Sequence, residues 1–450
     1  MSGVEKPALY ALTLAQEEPP GKTLYSGGDI YADDAGKLIA VWVYDNSESE
    51  ETIDPEIAVR FNEGSGWGAA TLITGNALWE TDPRVVYLNG GKALAIWTSN
   101  DGAKTLEKMN EILAHQDIAY AYYDGSTWTD EALVFDDDYA DGLANLAHDV
   151  STNSAMAVWG HNGDNSEDLN DHTKWSVYYS LFDGTGLQWT DAVAITGTDG
   201  GQADFMPAIA ADGNGRFIAV WVKDTDGSTF SELAGIQGGT NVDYTNSDCD
   251  VYYAIYQNGT WGTPAKVTTT NDFTEGMVDV AYLNSGKGVA VWVEKGENVE
   301  TLYYSVNSDG AWSDKTKIDD TAYFIEDPKI DIDDSDAATV IYRKFAGYDG
   351  EIFSSQINLG GLQQVAEPPT PAQLTNDDVT DWNPAMALGS DGKPVLLWSK
   401  MDTAKAKATT AEGFSSGINL AVGGAKMAEL TGTNSITLVD ADEDGLYEMM

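Results

Sequence analysis

The sequence predicts an all-β fold made of repeated units, and three observations carry that reading. One phrase recurs seven times: a turn, a strand apolar almost throughout, then an acidic loop. Its clearest copy is "DGNGRFIAVWVKDTDG" (212–227), and the others lie at 33–46, 88–102, 150–165, 283–298, 333–344 and 389–400. Short β-rich segments joined by Gly, Asn and Asp turns lie between the copies. Finally, 42% hydrophobic and 10% aromatic residues suffice for a large core, and no apolar run approaches the length of a membrane span.

Aligned on the strand-end aromatic, the copies place Trp42, Trp97, Trp159, Trp221, Trp292, Tyr342 and Trp398 at spacings of 50 to 71 residues. Each unit starts with a short strand such as "PAIAAD" (207–212) and continues with the phrase strand. An alternating strand such as "DVYYAIYQ" (250–257) follows, and then a tight turn leads to a Trp and a fourth strand, as in "NGTWGTPAKVT" (258–268). Four short strands per unit at even spacing describe a propeller blade. The phrase strand suits a position packed on both faces by neighbouring blades, which makes its aromatic a core residue. Seven copies predict a seven-bladed β-propeller of four-stranded blades.

A ring needs closure, because an open one exposes an edge strand. The segment "PALYALTLA" (7–15) stands where other units carry their fourth strand, and no turn-plus-Trp follows "PVLLWSK" (394–400). Residues 7–15 are therefore expected to complete the last blade within a propeller of residues 1–423, leaving 424–450 as a C-terminal extension. The first twenty residues carry no basic segment followed by an apolar one, so no signal peptide is expected in this chain. Cys249 is the sole cysteine, which excludes an intrachain disulfide.

Over residues 28–423 the blades resemble those of sialidase-type secreted seven-bladed propellers. The turn Trp is similar to that of the Asp-box, S/T-x-D-x-G-x-x-W. "AYYDGSTW" (121–128) supplies Gly125 and Trp128 with Asp124 displaced by one position, and "SVNSDGAW" (305–312) supplies Ser305 and Trp312 with Asn307 at the Asp position. Sialidase chemistry implies three arginines converging on a carboxylate. Arg60, Arg84, Arg216 and Arg343 are the only arginines, and the blade register sends Arg60 to an outward strand and Arg216 to a turn on the opposite face, so no triad is expected.

Charge bounds the partners. With 73 acidic and 24 basic residues the net charge is −49, a surface that repels phosphate backbones and excludes nucleic acid. The acidity has two readings, a solvated surface adapted to high salt or an extracellular protein loaded with Ca²⁺. The preponderance of Lys over Arg favours the second.

Candidate sites follow from the strand plan. Glu80, Asp82, Asp204, Glu275, Glu326, Asp327 and Asp381 fall just before first strands, near the expected channel mouth, together with Trp79, Phe324 and Trp382 in "WETDP", "FIEDP" and "DWNP". Of these, Trp79, Asp82, Phe324, Asp327, Asp381 and Trp382 form the candidate ligand site, since aromatic faces stack on sugars while carboxylates accept their hydroxyls. "HNGDNSEDLNDH" (161–172) gathers two histidines with acids as a metal candidate.

The sharpest local motif is "DADEDGLYE" (440–448). Asp440, Asp442 and Asp444 stand at positions 1, 3 and 5 of an EF-hand-type loop. Gly445 takes the sharp turn, Leu446 offers its carbonyl and Glu448 falls at position 9. The segment resembles the short calcium loops of dockerin, thrombospondin type 3 and integrin-type repeats, which implies Ca²⁺ as a bound ion.

With no catalytic constellation legible, the sequence favours a non-enzymatic extracellular or cell-surface propeller for recognition, adhesion or structural assembly. It would bind calcium and meet a protein partner or a glycan. The alternative is a secreted carbohydrate-active protein, lectin or glycoside hydrolase, using the channel-mouth Trp and carboxylates.

Overall fold

β-Branched and aromatic residues in short alternating runs favour a pleated surface, and they fold as strands throughout. The computed structural model of the protein describes residues 10–11, 23–33, 35–45, 55–64, 66–101, 115–137, 139–163, 175–197, 202–225, 249–268, 274–295, 299–322, 324–345, 350–359, 369–376, 380–389, 393–401, 421–422, 425–426, 438–439 and 448–449. Every regular element among them is a strand, and no helix among the described residues is long and apolar enough to cross a membrane.

Six antiparallel sheets follow one another along the chain, each running outward from a central axis. In the fourth, Asp204–Ala211 is innermost, then Phe217–Asp224 and Cys249–Gln257, and the outermost strand is split into Thr260–Trp261 and Ala265–Lys266. The innermost strands touch one another in cyclic order, so the sheets surround a channel.

The expectation of seven four-stranded blades is corrected: the propeller has six blades of four strands each, not seven. The seventh phrase copy lies in a three-stranded sheet of Thr380–Leu388, Pro394–Met401 and Tyr10–Ala11, which fills the gap between the sixth blade and the first. Tyr10 stands opposite Val395 and Ala11 opposite Leu396 in a parallel pairing. The N-terminal segment thus takes the third place in this sheet, and the other residues of 7–15 lie outside the described ones. The physical reason is that the phrase marks an inner hairpin only: among the described residues "PVLLWSK" pairs with Thr380–Leu388 and Tyr10–Ala11 alone. Within the C-terminal extension, Leu438–Val439 pairs with Glu448–Met449.

The phrase strands are the core. Trp97, Trp159, Trp221, Trp292 and Tyr342 are fully buried, and Trp42 nearly so. The later ones pack on the preceding sheet: Trp97 clusters with Val41 and Val43, Trp159 with Ile96 and Ile118, and Trp221 with Met156 and Val158. A cross-strand aromatic stacks beside each in the later blades, as Tyr252 does on Trp221 at 6.5 Å and Tyr303 on Trp292 at 6.1 Å. The turn Trp residues lie against neighbouring sheets too, Trp261 edge-on to Tyr179 at 5.5 Å and Trp312 to Tyr253 at 5.2 Å. The repeated aromatics are therefore scaffold.

Candidate functional site: a bulged polar channel

Every innermost strand slips its ladder register at an equivalent point. The residue at each slip has a positive φ: Gly27 at 82°, Asp82 at 54°, Leu143 at 56°, Met206 at 52°, Met277 at 52°, Asp327 at 50° and Asn383 at 47°. Pro83, Pro207, Pro328 and Pro384 follow four of them, and proline, lacking an N–H, settles at bulges inside sheets. Gly, Asp and Asn tolerate the left-handed region. Leu143, Met206 and Met277 do not, and such strain costs on the order of 1–3 kcal/mol each. A bulge re-aims the side chains around it.

In five of the seven strands the residue so aimed is polar. Two positions after the slip stand Asp29, Arg84, Asn145, Asp279 and Lys329, and all five line a channel cavity of about 790 Å³ together with Asp82, Asp327 and Asp331. Their hydrogen bonds run from one innermost strand to the next. Asp29 accepts the Val85 N–H at 2.9 Å, Asp279 that of Ile330 at 2.9 Å and Asp331 that of Leu388 at 2.9 Å. Arg84 Nε donates to Asn145 Oδ1 at 3.3 Å, and Asn145 Nδ2 donates to the Pro207 carbonyl at 2.7 Å.

Burial dominates the electrostatics. It raises Asp29, Asp279 and Asp327 above the ordinary carboxylate value, against the opposing pull of Arg84 and Lys329. Asp331 is pushed up to about 6 by burial and by the charge of Asp279. The channel thus presents carboxyl groups that hold protons unusually well beside two cations.

The sequence-predicted acids divide into two sets. Asp82 and Asp327 line the channel. Glu80, Asp204, Glu275 and Asp381 lie two residues before a slip and are fully buried. Asp204 accepts the Trp221 indole N–H at 2.7 Å and Asp381 that of Trp398 at 2.9 Å, so these two anchor the phrase aromatics. Glu326 pairs with the buried Arg343. Trp79 is buried, Phe324 packs edge-on against Phe345 at 5.9 Å, and Trp382 pairs through its backbone with Ser399.

Of the arginines only Arg84 lines the channel; Arg60 bonds the Gly68 carbonyl at 2.9 Å and Arg216 bonds Asp212 at 2.6 Å. Asp440, Asp442, Asp444 and Leu446 lie outside the described residues, as do His172 and the side chain of Glu448. Asp29, Arg84, Asn145, Asp279, Lys329 and Asp331 were absent from the sequence-based site. For Arg84, Lys329 and Asp331 the signal was the proline-marked bulge within "WETDPRVV" and "IEDPKIDI".

A second cluster lies off the channel, where blade 2 meets blade 3. His161, at the end of the second strand of blade 3, approaches Asp141 with Nδ1 at 3.0 Å and Asp137 with Nε2 at 3.9 Å. Phe135, Tyr139 and Tyr178 surround its ring.

No protein-family model matches the sequence, and no curated protein matches it. Solved structures share the fold. A polysaccharide lyase, an ulvan lyase, aligns at 13% identity and TM-score 0.53, over 84% of this chain and 93% of its own. An ulvan lyase bound to -[GlcA(1-4)Rha3S]- aligns at 13% identity and TM-score 0.50, over 82% and 90%. A Hadza microbial sialidase aligns at 10% identity and TM-score 0.44, over 78% of this chain and 74% of its own.

Proposed function

We propose that this protein is a carbohydrate-active propeller that takes a neutral glycan into its central channel. The channel lining carries the reading: carboxyls that hold protons, two cations and an amide arranged around a cavity of about 790 Å³, within the size range of small-ligand sites. Such a wall both donates to and accepts from hydroxyl groups. Neutral sugars suit it better than acidic ones, because the chain's net charge of −49 and the excess of carboxyls over cations in the channel oppose a polyanion. Fold likeness to an ulvan lyase supports a polysaccharide-directed role over pure assembly. Asp331, raised to about 6, suits proton donation near neutral pH, the part a general acid plays in glycoside hydrolysis. Asp82 and Asp327 are the ligand-contacting members of the sequence-derived set in this reading.

The C-terminal loop is proposed to bind Ca²⁺ through Asp440, Asp442, Asp444, the Leu446 carbonyl and Glu448, on the strength of its motif alone. A glycan array probed with the full chain, with and without Ca²⁺, tests the functional reading. Binding to neutral oligosaccharides is expected, and binding to none would return the account to a non-enzymatic assembly module.

A further inference from the structure

The cluster around His161 is built differently from the rest of this acidic protein. Asp137, Asp141 and His161 each present a ligand atom, and the three atoms lie within 4.8 Å of one another. They come from separate segments. Asp137 follows the outermost strand of blade 2 (Ala132–Phe135), Asp141 lies on the innermost strand of blade 3 (Ala140–Asp149), and His161 is on the next strand (Ser154–Asn162). Asp117, on the third strand of blade 2 (Gln116–Tyr123), stands close enough for the charges of Asp141 and Asp137 to act on its carboxyl.

An independent observation points to a missing counter-charge. Asp141 is fully buried, its Oδ1 accepts the Trp159 indole N–H at 2.6 Å and meets His161, yet its Oδ2 has no hydrogen-bond partner among the described residues. Oδ1 of Asp117 is likewise buried without a hydrogen-bond partner among the described residues. A buried carboxylate oxygen left unpaired costs free energy, and several carboxylates around one imidazole repel one another. One cation removes both penalties.

We propose that Asp137, Asp141 and His161 bind a divalent first-row transition metal of the Zn²⁺ class, with Asp117 alongside, as a staple between blades 2 and 3. The imidazole decides the class, since Ca²⁺ and Mg²⁺ take oxygen ligands whereas Zn²⁺ accepts nitrogen with carboxylates. The geometry suits it. Asp141 Oδ1 lies 3.0 Å from Nδ1 of His161, and Nε2 faces Asp137 across 3.9 Å. An ion with bonds of about 2.0–2.2 Å bridges that gap after a small contraction.

The test uses the full chain, stripped with chelator and titrated with Zn²⁺ by calorimetry in high salt to suppress diffuse binding to the acidic surface. One saturable site per chain is expected, weakened at least tenfold in Asp137→Asn and in His161→Gln. Ca²⁺ should compete poorly for it. Equal Zn²⁺ affinity in the wild type and both variants would overturn the proposal. NMR of the chain's four histidines checks the site without any variant: one imidazole should shift in step with one equivalent of Zn²⁺, and no shift would refute the assignment. Zn²⁺ binding without glycan binding would leave this site standing while the channel reading fell.

Discussion

The Asp29 carboxylate accepts the backbone N–H of Val85 at 2.9 Å, joining the innermost strand of one blade to that of the next. Asp279 repeats the arrangement on Ile330 and Asp331 on Leu388. Carboxyls that face the channel therefore also hold the ring together, which couples any change in the site to stability.

Replacing Asp29 by Ala strands the Val85 N–H, and an unsatisfied buried donor costs about 1–3 kcal/mol. Asp29→Asn keeps an acceptor and should lose less. Thermal unfolding of both variants checks the order, and equal losses would deny the hydrogen bond its role.

Trp221→Ala removes a fully buried aromatic and deprives Asp204 of its indole donor, so it should cost about 3–5 kcal/mol. Trp221→Phe, which keeps most of the volume but loses the N–H, should fall between. Denaturant titration reads both, and a near-neutral Ala variant would remove the phrase aromatic from the core.

Stability should fall as pH rises from about 4 to about 6. Burial pushes Asp331 and Glu275 up to about 6, whereas the unfolded chain keeps carboxyl values of about 4. Between those limits the folded chain binds more protons than the unfolded one, so deprotonation favours unfolding, and the loss levels off above the folded value. Asp331→Asn escapes its share. Its stability relative to wild type should therefore improve on going from pH 4 to pH 8, as a melting series would show. A difference constant with pH would mean that Asp331 ionises alike in both states.

The C-terminal loop predicts a chelator effect. Three Asp within five residues repel one another without a cation, so proteolysis within 431–450 should be faster in chelator than in millimolar Ca²⁺. Asp440→Asn with Asp442→Asn should abolish the difference. Equal cleavage rates of the wild type in both buffers would count against Ca²⁺ there.

The phrase around Trp221 made the inner hairpins and their burial readable, because a strand packed on both faces must be apolar throughout. The blade count was less readable. "PVLLWSK" has the phrase, but among the described residues its sheet holds three strands, and one strand pattern cannot tell a full blade from a smaller sheet. Within the site, Asp82 and Asp327 were legible through the Asp-Pro pair that marks each bulge. Asp381 and Asp204 look the same in sequence, yet lie two residues earlier relative to the slip and are buried under indole rings. Arg84, Lys329 and Asp279 were not placed in the site, since only the bulge registers decide which side chains reach the channel. His161 was seen, but its partners Asp137 and Asp141 come from another strand and a turn, a proximity no local spacing encodes.

The most direct test of the channel reading is a calorimetric titration of wild type, Arg84→Ala and Asp327→Asn with neutral pentasaccharides of the xylan, mannan, arabinan and cellulose series. The account predicts saturable binding of at least one by the wild type and at least a tenfold loss in each variant while the fold persists. Unchanged affinity in both variants would place the glycan elsewhere and contradict the account.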